Sequence, residues 1–217
     1  MEQTILTDIQ RQVLTEVANE PFLRDFYLSG GTALSAYYLM HRISDDLDFF
    51  SPTDIDITFL LGFIGQLGRT LHAIEIKQER LFDRNLFLLI FADGTELKLE
   101  FTKYPFPSLD LHLEKDNIRV DSLRDVSANK LMAMLERFDP KDFVDLYFLL
   151  QNGSIFDIRR DVEKKFGTKI GDVFLGTELA KVRRIEALPK MLKPLSIVEL
   201  KDFFTMQAIQ LKQNIIS

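Results

Sequence analysis

There is no cysteine among the 217 residues, so neither a disulfide framework nor a thiolate metal site can be built. There is no tryptophan, and no GxxxxGKS or GxGxxG loop, which leaves P-loop and Rossmann readings without support. No apolar run approaches the roughly 18 residues of a membrane span, so no membrane partner is expected. The opening Met1-Glu2-Gln3-Thr4 lacks the basic and apolar regions of a secretory signal, and with the absent cysteine this leads us to expect a cytoplasmic protein. An excess of basic charge is also missing. With 27 Lys and Arg against 33 Asp and Glu, the net charge of -6 excludes a surface coated in basic residues for nucleic acid, though not a local basic groove. What is present is an ordinary globular balance, 46% hydrophobic and 28% charged, in a length that suits one core plus a smaller helical partner.

Hydrophobic periodicity divides the chain in two. Ile9, Val13, Leu14 and Val17 recur at helical spacing over residues 7–20, with Thr7 and Gln10 placed as a capping box. Residues 26–29 read as a short buried strand ending at a glycine pair, 33–40 as a helix, 47–51 as the next strand and 57–71 as a long apolar helix. Strands are expected at 73–79, 86–91 and 96–102, the last two joined through Asp93-Gly94, a strong hairpin signal. One more short strand is expected at 117–121. From residue 127 onward the pattern is helical, with helices at 127–138, 141–151, 155–166, 172–184 and 197–215. The expected organisation is an α/β core over 1–120 and a helical part over 121–217.

The stretch "SDDLDFF" (residues 44–50) sets carboxylates beside apolar bulk. On a strand, Asp46 and Asp48 share one face while Leu47 and Phe49 take the other. Same-face neighbours lie about 6.6 Å apart, close enough for both carboxylates to converge on one divalent ion. Hard oxygen ligands suit Mg²⁺, which binds through one or two carboxylates, water and substrate phosphates. In "ELKLEF" (96–101) the apolar Leu97, Leu99 and Phe101 alternate with Glu96, Lys98 and Glu100, which makes Glu100 the candidate third ligand. The alternative is a charged turn and a solvated strand face. Gly30-Gly31 ends a strand and opens a helix, where backbone N–H groups can receive a phosphate and Thr32 can add a hydroxyl; a tight turn requiring positive φ explains the glycines equally well.

A second constellation lies in "SANKLMAMLERFDPKDFVDLYFLL" (127–150). Lys130 and Arg137 are two helical turns apart and form a basic face suited to a triphosphate, while Asp142 and Asp145 follow one turn apart on the next helix. An internal salt-bridge network between two packed helices is the alternative. His41 and Arg42 read as partners of a helix C-terminus or of Asp45 or Asp46, and residues 159–165 as a solvated helix face.

Together, "LSGGTALSAYYLMHRISDDLDFF" and "KLMAMLERFDPKDFVDLYFLL" resemble the two motif blocks of the AbiEii/AbiGii toxin nucleotidyltransferases. The resemblance spans roughly residues 25–150. It implies an α+β fold of the DNA polymerase beta type, in which a small mixed β-sheet flanked by helices precedes an all-helical C-terminal part. It implies Mg²⁺-dependent transfer of a nucleotide from an NTP, with tRNA as acceptor, as the toxin of an abortive-infection pair with a cognate antitoxin. By position, Gly30 and Gly31, backed by Thr32, match the triphosphate-holding pair, and Asp46 and Asp48 the metal ligands. Glu100 matches the third acidic position, Lys130 the triphosphate lysine and Asp145 or Asp142 the late aspartate. Many members carry Ser where this chain has Gly31. A non-catalytic interaction protein with the same fold, or a transferase acting on a protein or small-molecule acceptor, are the alternatives.

Overall fold

The computed structural model describes residues 5–216, with side chains described through residue 211; residues 1–4, where no secretory signal was expected, lie outside the described residues. Two compact units emerge, one built from residues through Tyr38, Ser44–Pro107 and Leu111–Ser122, the other from Leu39–Ile43, Ser108–Asp110 and Leu123 onward.

In the first unit the expected capping box opens α1 (Asp8–Asn19): the Gln10 N–H donates to Thr7 Oγ1 and the Thr7 N–H to Gln10 Oε1. Strand β1 (Tyr27–Ser29) leads into α2 (Gly30–Leu34), which passes into five π-helical residues, Ser35–Leu39. The helix expected over 33–40 thus starts at the glycine pair itself. After β2 (Leu47–Ser51), Asp56 caps α3 (Ile57–Thr70) by accepting from the Thr58 and Phe59 N–H groups. Strands β3 (Glu75–Leu81), β4 (Arg84–Ile90) and β5 (Glu96–Lys103) follow, and Gly94, at φ +82°, makes the expected Asp-Gly connection. Where one strand was expected at 117–121 there is a hairpin, β6 (Leu113–Lys115) with β7 (Ile118–Val120). Asp116 and Asn117, both with positive φ, supply the two-residue turn that matches strand twist.

The seven strands form one mixed sheet in the order β3-β4-β5-β2-β1-β7-β6. The pairs β1/β7 and β2/β5 are parallel and the others antiparallel. Alternation puts Leu28, Leu47, Phe49, Leu97, Leu99 and Phe101 into the core, joined there by Val13, Leu14 and Val17 of α1 and Leu60, Ile64 and Leu67 of α3. Phe49 stacks on Phe101 with centroids 5.0 Å apart. Burying one face this tightly fixes the register, because a one-residue slip would turn Asp48 into the core and Phe49 out of it.

The second unit holds α4 (Leu123–Glu136), α5 (Pro140–Leu150), α6 (Ile155–Phe166), α7 (Asp172–Leu179) and α8 (Ile197–Ile216). Asp139 caps α5 ahead of Pro140, and Gly167 ends α6 in the left-handed region at φ +68°. Residues 159–165 are not simply a solvated face. Lys165 is buried with its ammonium 2.6 Å from Asp125, and Asp161 accepts from Arg124. The periodicity there carries a polar contact side that composition alone reads as solvent. Among the described residues no helix is long and apolar enough to cross a membrane.

Candidate active site

Register in the first unit aligns the acidic residues. Ser29 of β1 pairs with Asp48 of β2, and Asp48 pairs with Glu100 of β5, so a row of polar side chains crosses the sheet face opposite the phenylalanine core. Asp46, just ahead of β2, lies beside Lys98, which shares the Glu100 face of β5.

The approach to this row is set by Gly30. Its φ is +69°, and a Cβ there would lie 2.1 Å from Asp48 Oδ2, so only glycine lets the start of α2 meet the carboxylate. The loop before β2 is pinned from two sides. Gln10 Nε2 donates to the carbonyls of Ser44 (2.9 Å) and Asp45 (3.1 Å), and the Thr32 hydroxyl donates to the Asp46 carbonyl. Thr32 is buried. Its hydroxyl, engaged with the Asp46 carbonyl, helps hold the chain leading into β2 in place. Gln10 shows in the sequence only as a capping residue, and no local signal reveals its reach to residues 44 and 45.

Each outer carboxylate of the row has a cation. Lys98 Nζ stands 3.9 Å from Asp46 Oδ2, and both side chains are partly exposed. Arg84, diagonal to Glu100 on β4, grips it in a fork: Nε to Oε1 at 2.7 Å and Nη2 to Oε2 at 2.8 Å. Thr102 Oγ1 adds a 2.7 Å bond to Oε1. Burial opposes ionisation of Glu100, but the bonds from Arg84 and Thr102 outweigh it and hold its pKa below the usual value. Arg84 is held more strongly protonated by its bonds to Glu100, with Asp48 adding to the attraction.

Asp46 and Asp48 are partly accessible carboxylates two residues apart, a donor set that fits one hard divalent ion with water and substrate phosphate completing its shell. Glu100, in register with Asp48, has protein partners of its own. Its oxygens accept two bonds from Arg84 and one from Thr102, and among the described residues no group of three or more His, Cys, Asp or Glu is gathered to hold a metal. Strand pairing brings a guanidinium to Glu100 from a position outside the strand expected at 86–91.

The second unit gathers Lys130, Arg137, Asp142 and Asp145, and adds His41 and Arg42 to them. Lys130 Nζ lies 2.7 Å from Asp145 Oδ2 and 3.2 Å from Asp142 Oδ1; Arg137 Nε reaches Asp142 Oδ2 at 3.1 Å. Arg42 holds Asp145 through Nε at 2.6 Å and Nη2 at 2.8 Å, and His41 Nε2 sits 2.7 Å from Oδ1. This is the internal network, and it corrects the expectation that His41 and Arg42 serve a helix end or Asp45 and Asp46. Burial disfavours the Asp145 charge, but Lys130, His41 and Arg42 together drive its pKa far below the usual range. Burial lowers the pKa of His41, whose Nδ1 has no hydrogen-bond partner among the described residues. Neutral His41 therefore carries its proton on Nε2 and donates it to Asp145.

The chain matches the family described as nucleotidyl transferase AbiEii toxin, type IV TA system, over residues 12–213. It is 34% identical over 164 residues to an uncharacterised protein of Aquifex aeolicus, a match covering 72% of this chain and 74% of that one. Its fold is similar to that of JHP933 from Helicobacter pylori, with a TM-score of 0.60 at 20% identity over 95% of this chain and 90% of that one. It is also similar to the nucleotidyltransferase toxin MenT4 of Mycobacterium tuberculosis, with a TM-score of 0.54 at 14% identity over 95% and 86%. A mixed sheet with an aspartate pair beside a left-handed glycine is thus found in a chain matched along nearly its whole length. The protein belongs to the AbiEii nucleotidyltransferase toxin family.

Proposed function

We propose that this chain transfers a nucleotide from an NTP to an acceptor hydroxyl on tRNA and releases pyrophosphate, in the cytoplasm, under control of a cognate antitoxin. The observation that carries the reading is Asp48 on β2 with Asp46 just ahead of it, met by Gly30 where a side chain would collide with Asp48. In the reaction the acceptor oxygen attacks the α-phosphorus, the bond to the pyrophosphate oxygen breaks, and the hydroxyl proton is lost to water. Asp46 and Asp48 would hold Mg²⁺, which would supply positive charge beside the phosphate. The N–H groups at Gly30 and Gly31 receive phosphate oxygens, and burial of Leu47 and Phe49 keeps the aspartates oriented. Lys130 and Asp145 match the family's later block, and their engagement in the buried network supports a role in keeping the second unit folded.

Purified protein with MgCl₂ and each α-labelled NTP in turn, offered total RNA, total protein or small hydroxylated acceptors, tests the proposal. Label enters the tRNA fraction with the wild type and is lost with Asp48→Ala, whose circular dichroism is unchanged. Equal labelling by the variant refutes the aspartate assignment, and labelling of protein or a small molecule alone refutes the tRNA acceptor.

A further inference from the structure

The polar row carries three carboxylates, Asp46, Asp48 and Glu100, and two cations, Lys98 and Arg84. Arg84 is the more closely engaged. It makes a bidentate, charge-assisted contact with a carboxylate that is nearly removed from solvent, and about half of its own side chain remains exposed. Its charge also acts on Asp48. A guanidinium is always protonated and its planar fork matches a carboxylate, so the contact does not open by titration near neutral pH. The third bond, from Thr102, comes from the residue that pairs with Arg84 across β4 and β5, so one register positions both partners of Glu100.

We propose that Arg84 is a positioning residue that keeps Glu100 out of metal coordination, so that Asp46 and Asp48 bind a single divalent ion. Arg84 supplies from the protein the positive charge that a second ion would otherwise bring. The inference rests on the reading of Asp46 and Asp48 as the metal pair, and it concerns the number of ions and the part played by Glu100. Lys98 stands at the rim against Asp46 at a looser distance and is the weaker competitor for an incoming ion.

Mn²⁺ binding without nucleotide, followed by the loss of the free-ion electron paramagnetic resonance signal, reads this directly. The wild type is expected to take up one Mn²⁺ per chain and Asp48→Asn to lose it. Glu100→Gln, which still accepts from Arg84, is expected to keep one ion with affinity within twofold of wild type. Arg84→Gln frees a carboxylate and is expected to bind a second Mn²⁺ or to bind the first at least tenfold tighter. Two ions in the wild type falling to one in Glu100→Gln would overturn the Arg84 proposal while leaving the aspartate pair standing. No uptake by the wild type would overturn the metal pair and this inference with it. If Arg84→Gln melts before the measurement, Glu100→Gln decides alone: unchanged uptake supports the proposal and lost uptake overturns it.

Discussion

Gly30 is the residue where backbone and chemistry constrain each other most tightly. Its φ of +69° costs a residue with a side chain about 1–2 kcal/mol, and the added Cβ would displace the Asp48 carboxylate from 2.1 Å away. Gly30→Ala is therefore expected to lower urea stability by at least that amount and to reduce nucleotide transfer by tenfold or more. A variant with wild-type midpoint and rate would show that the close approach has no importance. At this scale the sequence is informative about direction and silent about neighbours. Period-two alternation places Asp46 and Asp48 together and sends Leu47 and Phe49 to the core. It does not show that Arg84 reaches Glu100, because that contact depends on which residue of β4 lies diagonal to it across sixteen positions of chain.

Between elements, the buried ionic network ties α4 and α5 to the Leu39–Ile43 segment. Removing one partner of a buried pair costs about 3–5 kcal/mol, because the other charge stays buried. Lys130→Met leaves Asp145 with Arg42 and His41, so a loss near the lower end, about 3 kcal/mol, is expected in urea denaturation. A loss below about 0.5 kcal/mol, the range of ordinary surface substitutions, would mean that the network carries no stability. His41 gives a pH signature. Its folded pKa is depressed by burial, so the unfolded chain binds the extra proton first as pH falls through the unfolded value of about 6.5. Stability should therefore be present above that pH and decline below it, by at most about 1.4 kcal/mol per pH unit, until the folded pKa is reached. His41→Gln should flatten the decline between pH 7.5 and 5.5, and an unchanged slope would assign it to other groups. Glu100 and Asp145, also depressed, contribute stability that is present above the normal carboxylate range and lost only as pH falls through their lower folded values.

For the whole molecule, binding of an NTP with Mg²⁺ to the native state should raise the melting temperature, since ligand at a hundred times its dissociation constant adds about 2.7 kcal/mol. The expected result is a shift with Mg²⁺ and one NTP in the wild type and none in Asp48→Ala; equal shifts in both would place the nucleotide away from the aspartates. The net charge of -6 provides no general attraction for RNA phosphates, so an RNA acceptor has to be held by local contacts. Much of the secondary structure is visible in the chain itself, from the Thr7/Gln10 box to the Asp93-Gly94 turn, because these signals act within a few residues. The β6/β7 hairpin was also written locally, in Asp116-Asn117, but three-residue strands carry too little alternation to mark themselves.

By itself the sequence determined the two motif blocks, the spacing of Asp46 and Asp48, and the glycine pair that precedes them. All follow from short-range geometry and from the order of residues along the chain. Tertiary structure decided which partner each buried polar group found. Glu100 went to Arg84, Asp145 to Arg42, His41 and Lys130, and the Thr32 hydroxyl to a backbone carbonyl. The physical reason is that a buried charge or hydroxyl must find a partner, and that partner is set by strand register and helix packing across distances in sequence that no local pattern spans.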